Sequence, residues 1–218
     1  KGFMYKANLC LRTAIKILKP IHSFKVRDEQ DLYDKIYKMD WTAYMSHSST
    51  FAIDATVNSE KFNHSLFIAL KTKDAIADKF RNTEGKRPDV DLKYPDLRIN
   101  IHIQKDFCNV SLDSSGQSLH QRGYKTATNI APINEVLAAG MLLLSGWDGQ
   151  SDFLDPMCGS GTIGIEAALM AKGRAPGLLR GNFSFMHFVG YDEEAWGKER
   201  LAAKKLLKKE DPAPIVLS

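Results

Sequence analysis

The chain has 218 residues, which suffices for one large domain or two modest ones, and 44% of them are hydrophobic and 26% charged. This is ordinary globular composition, and it excludes intrinsically disordered, collagen-like and disulfide-scaffold classes. The net charge of +4 originates in residues 1–50, an excess that permits contact with phosphates but that a solvated basic surface explains more often.

The first half of the chain predicts an α+β domain. Helical spacing of apolar residues predicts three helices, at 11–18, 28–39 and 65–81. Alternation of apolar and polar residues predicts three strands, at 51–57, 97–103 and 108–112. The first helix should stop at Pro20, whose ring cannot continue a helix, and the third at Gly85. The last two strands have so short a connection that we expect an antiparallel hairpin.

The second half begins after a polar linker at 113–129 and follows a different pattern. We expect a helix from Pro132 to about residue 145, because proline is acceptable at the first position of a helix. A short strand at 151–154, a glycine-rich turn and a helix at 162–171 then follow. Strand, glycine turn and helix in this order are typical of the opening of an α/β nucleotide-binding domain.

The glycine turn is the most informative segment of the sequence. Gly159, Gly161 and Gly164 satisfy the spacing G-x-G-x-x-G, which by itself is a weak match. Asp155, at the end of the preceding strand, would repel a pyrophosphate and attract an ammonium group. S-adenosylmethionine carries such a group, whereas a P-loop is excluded because no Gly-Lys-Ser/Thr closes the turn. A tight turn without a ligand is the alternative.

Three residues of the polar linker are candidates for RNA binding. Arg122, Tyr124 and Lys125 offer a guanidinium, an aromatic ring and an ammonium, which together could contact phosphate and base. Structural ion pairing of the same side chains is an equally good interpretation. Asp192, which could be mistaken for a ribose-binding acid after a second strand, fits better as the cap of a following helix.

The sequence gives no indication of a metal site, a secreted protein or a membrane span. The six histidines form no metal-like pair, and the three cysteines show no C-x-x-C spacing and fit a reducing compartment. The apolar run at 136–147 is well short of the roughly 20 residues that a bilayer crossing requires, and no apolar signal segment opens the chain. We therefore expect a cytoplasmic protein without metal.

Several separate motifs resemble the THUMP-containing RNA methyltransferases, and in particular the bacterial 23S ribosomal RNA guanine methyltransferases. The turn and the helix after it, at 155–168, are similar to the cofactor loop of that family. The remaining similar segments lie in the order expected for the family, at 5–14, 71–78, 87–91, 119–125, 130–139, 145–147, 175–178 and 192–196. The resemblance covers nearly the whole chain.

The resemblance implies an α/β and α+β chain in four parts. These are the end of a ferredoxin-like domain (1–25), a THUMP RNA-binding domain (26–115), a connector (116–130) and the start of a Rossmann-like methyltransferase domain (131–218). It implies S-adenosylmethionine as cofactor and RNA, expected to be 23S ribosomal RNA, as partner. The implied cofactor-binding residues are Asp155, Pro156, Met157, Cys158, Gly159, Ser160, Gly161 and Thr162.

The resemblance also implies what the sequence lacks. Residues 215–218 look like the second core strand of the family, whose N/D-P-P-Y/F loop, which holds the target amine, would come later in the chain. We therefore expect the catalytic residues to lie beyond Ser218 and the 218 residues alone to be inactive. A transfer RNA guanine methyltransferase, a DNA adenine-N6 methyltransferase and a noncatalytic RNA-binding module remain alternatives.

Overall fold

A computed structural model describes residues 1–125, 132–208 and 213–217 of the chain. Two compact units are present. Unit 1 comprises Lys1–Ile17, Gln117–Phe183 and Asp192–Ser218, and unit 2 comprises Leu18–Gly116 and Ser184–Tyr191. The helices are α1 (Gly2–Cys10), α2 (Glu29–Lys38), α3 (Ser65–Glu84), α4 (Glu135–Leu144), α5 (Thr162–Ala171) and α6 (Glu193–Lys205). The strands are β1 (Leu18–Lys25), β2 (Thr50–Asn58), β3 (Asp89–Val90), β4 (Leu97–Gln104), β5 (Phe107–Asp113), β6 (Phe153–Asp155) and β7 (Ile215–Leu217).

Unit 2 is built on a five-stranded mixed sheet with the order β1-β5-β4-β2-β3. β2 is parallel to β3 and β4, whereas β5 is antiparallel to both β4 and β1. The predicted hairpin is therefore confirmed. Every second residue of β4 is buried, from Leu97 to Ile103, because successive side chains of a strand point to opposite faces and one face of β4 lies in the core.

The two predicted helices of unit 2 are confirmed, and local signals set their ends. The Asp28 side chain accepts a hydrogen bond from the backbone N–H of Asp31 and so caps α2. Gly85 ends α3 in the left-handed region, with a φ of +70°. A residue with a Cβ adopts this conformation only with strain, which explains why the helix stops at a glycine.

The helix predicted at 11–18 is wrong. The N-terminal helix α1 ends at Cys10, and Leu18 begins the edge strand β1, which pairs antiparallel with β5. The apolar stripe misled the prediction because Leu11 and Ile15 are 46% and 55% exposed and mark no buried face. An edge strand tolerates Pro20, since its missing N–H can face solvent.

Unit 1 contains the N-terminal helix together with the second half of the chain. α1 contacts α6, where the rings of Tyr5 and Trp196 meet edge to face at 6.0 Å, and it also contacts a 3₁₀ turn at Pro176–Leu179. Residues 1–17 thus lie in the same unit as α4, α5 and α6. The division into ferredoxin-like, THUMP, connector and methyltransferase segments stays a prediction, and residues 126–130 of the connector lie outside the described residues.

The second half of the chain follows the predicted order of elements. α4 begins at Glu135 rather than Pro132, because the Asn134 side chain accepts from the N–H of Val136 at 2.9 Å and caps the helix there. β6 and β7 pair in parallel, as expected for the first two core strands. Asp192 caps α6 by accepting from the N–H of Ala195, so the interpretation as a helix cap is confirmed.

Candidate functional site

The glycine-rich turn lies in unit 1, between the carboxyl end of β6 and the start of α5. Gly159 and Gly161 have φ values of +53° and +69°, in the left-handed region that favours glycine. The N–H of Gly161 donates to the carbonyl of Cys158 at 2.8 Å and closes the turn. A Cβ at Gly159 would meet no atom within 4 Å, so backbone conformation rather than space requires glycine at this position.

Asp155 is the last residue of β6, and only one of its two carboxylate oxygens accepts a hydrogen bond. Its Oδ1 accepts from the N–H of Met157 at 3.2 Å. Its Oδ2 is buried and has no hydrogen-bond partner. A buried carboxylate oxygen without a partner costs free energy, which a positively charged donor would relieve. The site therefore fits a ligand that brings an ammonium group to the end of β6.

The other side of the site is the N-terminus of α5. Its first N–H groups have no partners within the helix and carry partial positive charge, so they suit ligand oxygen atoms. The hydroxyl groups of Ser160 and Thr162 lie 3.0 Å apart, and Thr162 is fully buried. Met157 is 89% exposed, which leaves its side chain available to a ligand. Carboxylate, turn and helix terminus together can hold a zwitterionic small molecule.

The eight residues predicted to bind the cofactor form this one continuous turn. Cys158 is half-buried, and its Sγ lies 3.9 Å from the carbonyl oxygen of Gly159. A nucleophilic role has no support from this placement, which agrees with the interpretation of Cys158 as a small packing residue. Cofactor binding by the turn stays a prediction at this point.

The three residues predicted to bind RNA are instead paired within unit 1. Arg122 is only 2% exposed, and its Nη1 donates to the carbonyl of Leu119 at 2.8 Å. The Lys125 ammonium lies 2.9 Å from the carboxylate of Glu135 on α4. This geometry favours the alternative that the sequence left open, structural ion pairing. RNA contact by these residues stays a prediction, and the 2% exposure of Arg122 weighs against it.

Sequence reasoning missed the acid at the centre of this arrangement. Glu166, on α5, is fully buried and accepts from Arg122 Nε at 3.4 Å and from the Tyr124 hydroxyl at 3.2 Å. Burial raises the pKa of the Glu166 carboxyl although Arg122 lies beside it. The available signal was a lone acid among apolar residues in a predicted helix, which requires a buried partner.

Arg12 completes the same cluster. Its Nη2 donates to the carbonyls of Leu169 and Arg174 at 3.2 and 2.7 Å, near the end of α5. Its own carbonyl accepts from Arg122. Burial lowers the pKa of the Arg12 guanidinium, and its Nη1 has no partner. We call Arg12, Arg122, Tyr124 and Glu166 the α5 cluster.

Two kinds of feature are absent from the described ranges. Within residues 1–125, 132–208 and 213–217, no group of three or more histidine, cysteine or acidic side chains is arranged to hold a metal ion. In the same ranges no helix combines the length and the apolar character that crossing a bilayer would take.

Comparison with protein families matches the two halves of the chain separately. Residues 26–113 match the THUMP domain, and residues 122–214 match the RMKL-like methyltransferase domain. The expected combination of a THUMP domain with a methyltransferase-like α/β fold is thereby confirmed. A Synechocystis sp. protein named "Putative RNA methyltransferase slr0064" is 40% identical over 196 residues, which are 90% of this chain and 51% of that protein.

Two solved structures superpose on nearly the whole chain. A protein described as a predicted N6-adenine-specific DNA methylase from Listeria monocytogenes superposes with a TM-score of 0.86 at 28% identity. SMU.472, described as "a putative methyltransferase complexed with SAH", superposes with a TM-score of 0.84 at 31% identity. Each similarity covers 99% of this chain and 57% of the other. The chain thus spans about half the length of the relatives that it matches.

Proposed function

Because the chain combines a THUMP domain with an RMKL-like methyltransferase domain, we propose that the protein is an S-adenosylmethionine-dependent RNA methyltransferase. One observation of this structure supports the proposal most directly. The partnerless buried oxygen of Asp155 stands at the end of β6, beside the glycine turn, within the segment that matches the methyltransferase domain.

The cofactor supplies a methyl group already activated on a sulfonium. In the proposal, Asp155 Oδ2 binds the ammonium of the cofactor's methionine part, which gives that oxygen the partner it lacks. Gly159 and Gly161 let the backbone approach the ligand closely, and the N-terminus of α5 lies next to them. The residues present therefore fit the cofactor. That SMU.472 was crystallised with SAH supports S-adenosylmethionine as the cofactor.

The proposed substrate is the exocyclic amine of a guanine in 23S ribosomal RNA. The name of the Synechocystis relative supports RNA as the substrate class, and the resemblance of the sequence motifs supports the guanine and the ribosomal RNA. The description of the Listeria relative favours DNA adenine as the second candidate. Transfer RNA and a noncatalytic RNA-binding role remain outcomes of the test.

The charge of unit 2 bears on how RNA would be held. Its main segment, Leu18–Gly116, contains 15 Lys/Arg and 15 Asp/Glu residues. Because the segment has no net charge, a long-range positive field is not what attracts RNA to it. We propose that it recognises the shape of structured RNA and uses a few local phosphate contacts, so the affinity should depend only moderately on salt.

We propose that the groups that hold the target amine lie outside the 218 residues. No N/D-P-P-Y/F segment occurs in the sequence, and the relatives are about twice as long. The chemistry itself asks mainly for positioning of a weakly nucleophilic amine, since the methyl donor is already activated. The experiments below therefore use the full-length protein.

The first experiment measures cofactor binding by isothermal titration calorimetry. Replacing Asp155 with alanine should weaken S-adenosylmethionine binding about 12- to 140-fold, because a charge-assisted hydrogen bond contributes about 1.5–3 kcal/mol. Asp152→Ala is the matched control, since Asp152 is an exposed carboxylate three residues earlier. Equal affinity of Asp155→Ala and the wild type would overturn the role of Asp155.

The second experiment identifies the substrate. The protein is incubated with labelled S-adenosylmethionine and 23S ribosomal RNA, transfer RNA or duplex DNA, and the modified nucleoside is identified by mass spectrometry. The proposal expects N2-methylguanosine from ribosomal RNA. Methylated adenine from DNA would establish the second candidate, and RNA binding without any transfer would establish the noncatalytic role.

A further inference from the structure

The α5 cluster is a costly arrangement for the interior of a small unit. It buries the Arg122 guanidinium and the Glu166 carboxylate and partly buries Arg12, and Arg12 Nη1 and Glu166 Oε2 have no hydrogen-bond partners. Replacing a buried ion pair with apolar residues of similar volume often leaves a protein equally stable or makes it more stable. Stability alone is therefore a poor explanation for the cluster, and its position in the unit offers a better one.

The cluster holds the helix that follows the glycine turn at two places. Glu166 lies one turn after Thr162, the first residue of α5, and is held by Arg122 and Tyr124. Arg12 binds the carbonyls of Leu169 and Arg174 at the other end of the helix. Between them, these contacts fix α5 along its length.

Any displacement of α5 reaches the glycine turn directly. Gly161, which belongs to the turn, is also the residue that caps α5, and its carbonyl accepts from the N–H of Ile165 at 2.8 Å. Hydrogen bonds weaken steeply when their geometry changes, so a small shift of the helix misaligns the N–H groups that face the ligand. Cofactor affinity should therefore depend on how firmly the cluster holds α5.

We propose that Tyr124, Arg122 and Glu166 are positioning residues that set the affinity for the cofactor by holding α5, and through it the glycine turn, in the binding geometry. The inference rests on the proposed function. It replaces the RNA contact predicted for Arg122 and Tyr124, because both side chains point to Glu166 within unit 1.

The mildest test removes one hydroxyl group. In Tyr124→Phe the ring stays and only the hydrogen bond to Glu166 is lost. S-adenosylmethionine affinity of the full-length protein, measured by calorimetry, should fall about fivefold, which corresponds to about 1 kcal/mol. The affinity for RNA should not change, because unit 2 is untouched.

Unit 2 provides a control with the same chemical change. The hydroxyl of Tyr33 donates to Asp78 at 2.7 Å, so Tyr33→Phe also removes one hydrogen bond between a tyrosine and a carboxylate. It should lower stability comparably and leave cofactor affinity within twofold of the wild type. If Tyr124→Phe and Tyr33→Phe bind the cofactor equally well, the inference is overturned.

A second readout separates positioning from stability. Hydrogen exchange of the folded, ligand-free protein should be faster at residues 159–163 in Tyr124→Phe than in Tyr33→Phe, and unchanged exchange there would also overturn the inference. A wild-type protein that binds neither S-adenosylmethionine nor SAH would instead refute the proposed function. The two failures are thus distinguishable.

Discussion

Gly177 gives a sharp test of the way in which the N-terminal helix packs in unit 1. It lies in the 3₁₀ turn Pro176–Leu179, against α1. A Cβ at this position would lie 2.9 Å from the carbonyl oxygen of Asn8 and 2.9 Å from the Cα of Leu9. Both are backbone atoms, so no side-chain rotation can relieve the contact. Either α1 or the turn has to move by several tenths of an ångström.

The expected cost of Gly177→Ala follows from what that movement disturbs. Leu9 is fully buried and Tyr5 is 1% exposed, so both lose packing contacts when α1 shifts. Extra methyl groups in packed regions cost about 1–3 kcal/mol. Gly197→Ala is the matched control, since its Cβ meets nothing within 4 Å in the interior of α6. Alanine should stabilise that helix by about 0.5–1 kcal/mol.

Hydrogen exchange detected by mass spectrometry resolves the effect by segment. If the free energy of opening α1 falls by about 1–3 kcal/mol, amide exchange in α1 becomes about 5- to 140-fold faster. Peptides from β4 in unit 2 serve as the internal reference and should not change. Protection of α1 in Gly177→Ala that equals the protection in the wild type would refute the packing described here.

Two further predictions concern unit 2. Hydrogen bonds from Lys35 and from the N–H of Arg27 lower the pKa of the Asp31 carboxyl from 3.8 to about 2. The stability gained from the ionised carboxyl is therefore present at neutral pH and lost as the pH falls from about 4 to about 2. The thermal midpoint of Asp31→Asn should fall less over this window than that of the wild type, and equal slopes would contradict the assignment. Ile101→Ala should lower the free energy of unfolding by about 2–5 kcal/mol in urea titrations, because Ile101 is fully buried on β4; a loss under about 1 kcal/mol would show a looser core.

The elements predicted correctly carry their signals within themselves. α2 has an acidic cap and α3 ends at a glycine, while β4 alternates strictly between apolar and polar residues. α1 lacks a comparable signal, and its packing partners Gly177 and Trp196 lie far away in the sequence. Periodicity therefore selected residues 11–18 instead of the true helix Gly2–Cys10.

The candidate site shows the same contrast. The turn from Asp155 to Thr162 could be identified because its glycines and its acid are adjacent in sequence. The α5 cluster could not, because Arg12, Arg122 and Glu166 come from three distant segments. The sequence shows which residues are charged. It does not show which of them are buried against another side chain and which face solvent, because that depends on the folded structure.

The discontinuity of unit 1 has a consequence for synthesis on the ribosome. All five strands of the sheet in unit 2 have been made once Asp113 emerges, so that sheet can close early. Arg12, in contrast, precedes its partner Arg174 by 162 residues. At roughly 5–20 residues per second, the N-terminal segment waits about 8 to 30 s before its partners exist. During this interval the apolar side of α1, with Tyr5 and Leu9, lacks the later segments of unit 1 that cover it in the folded protein.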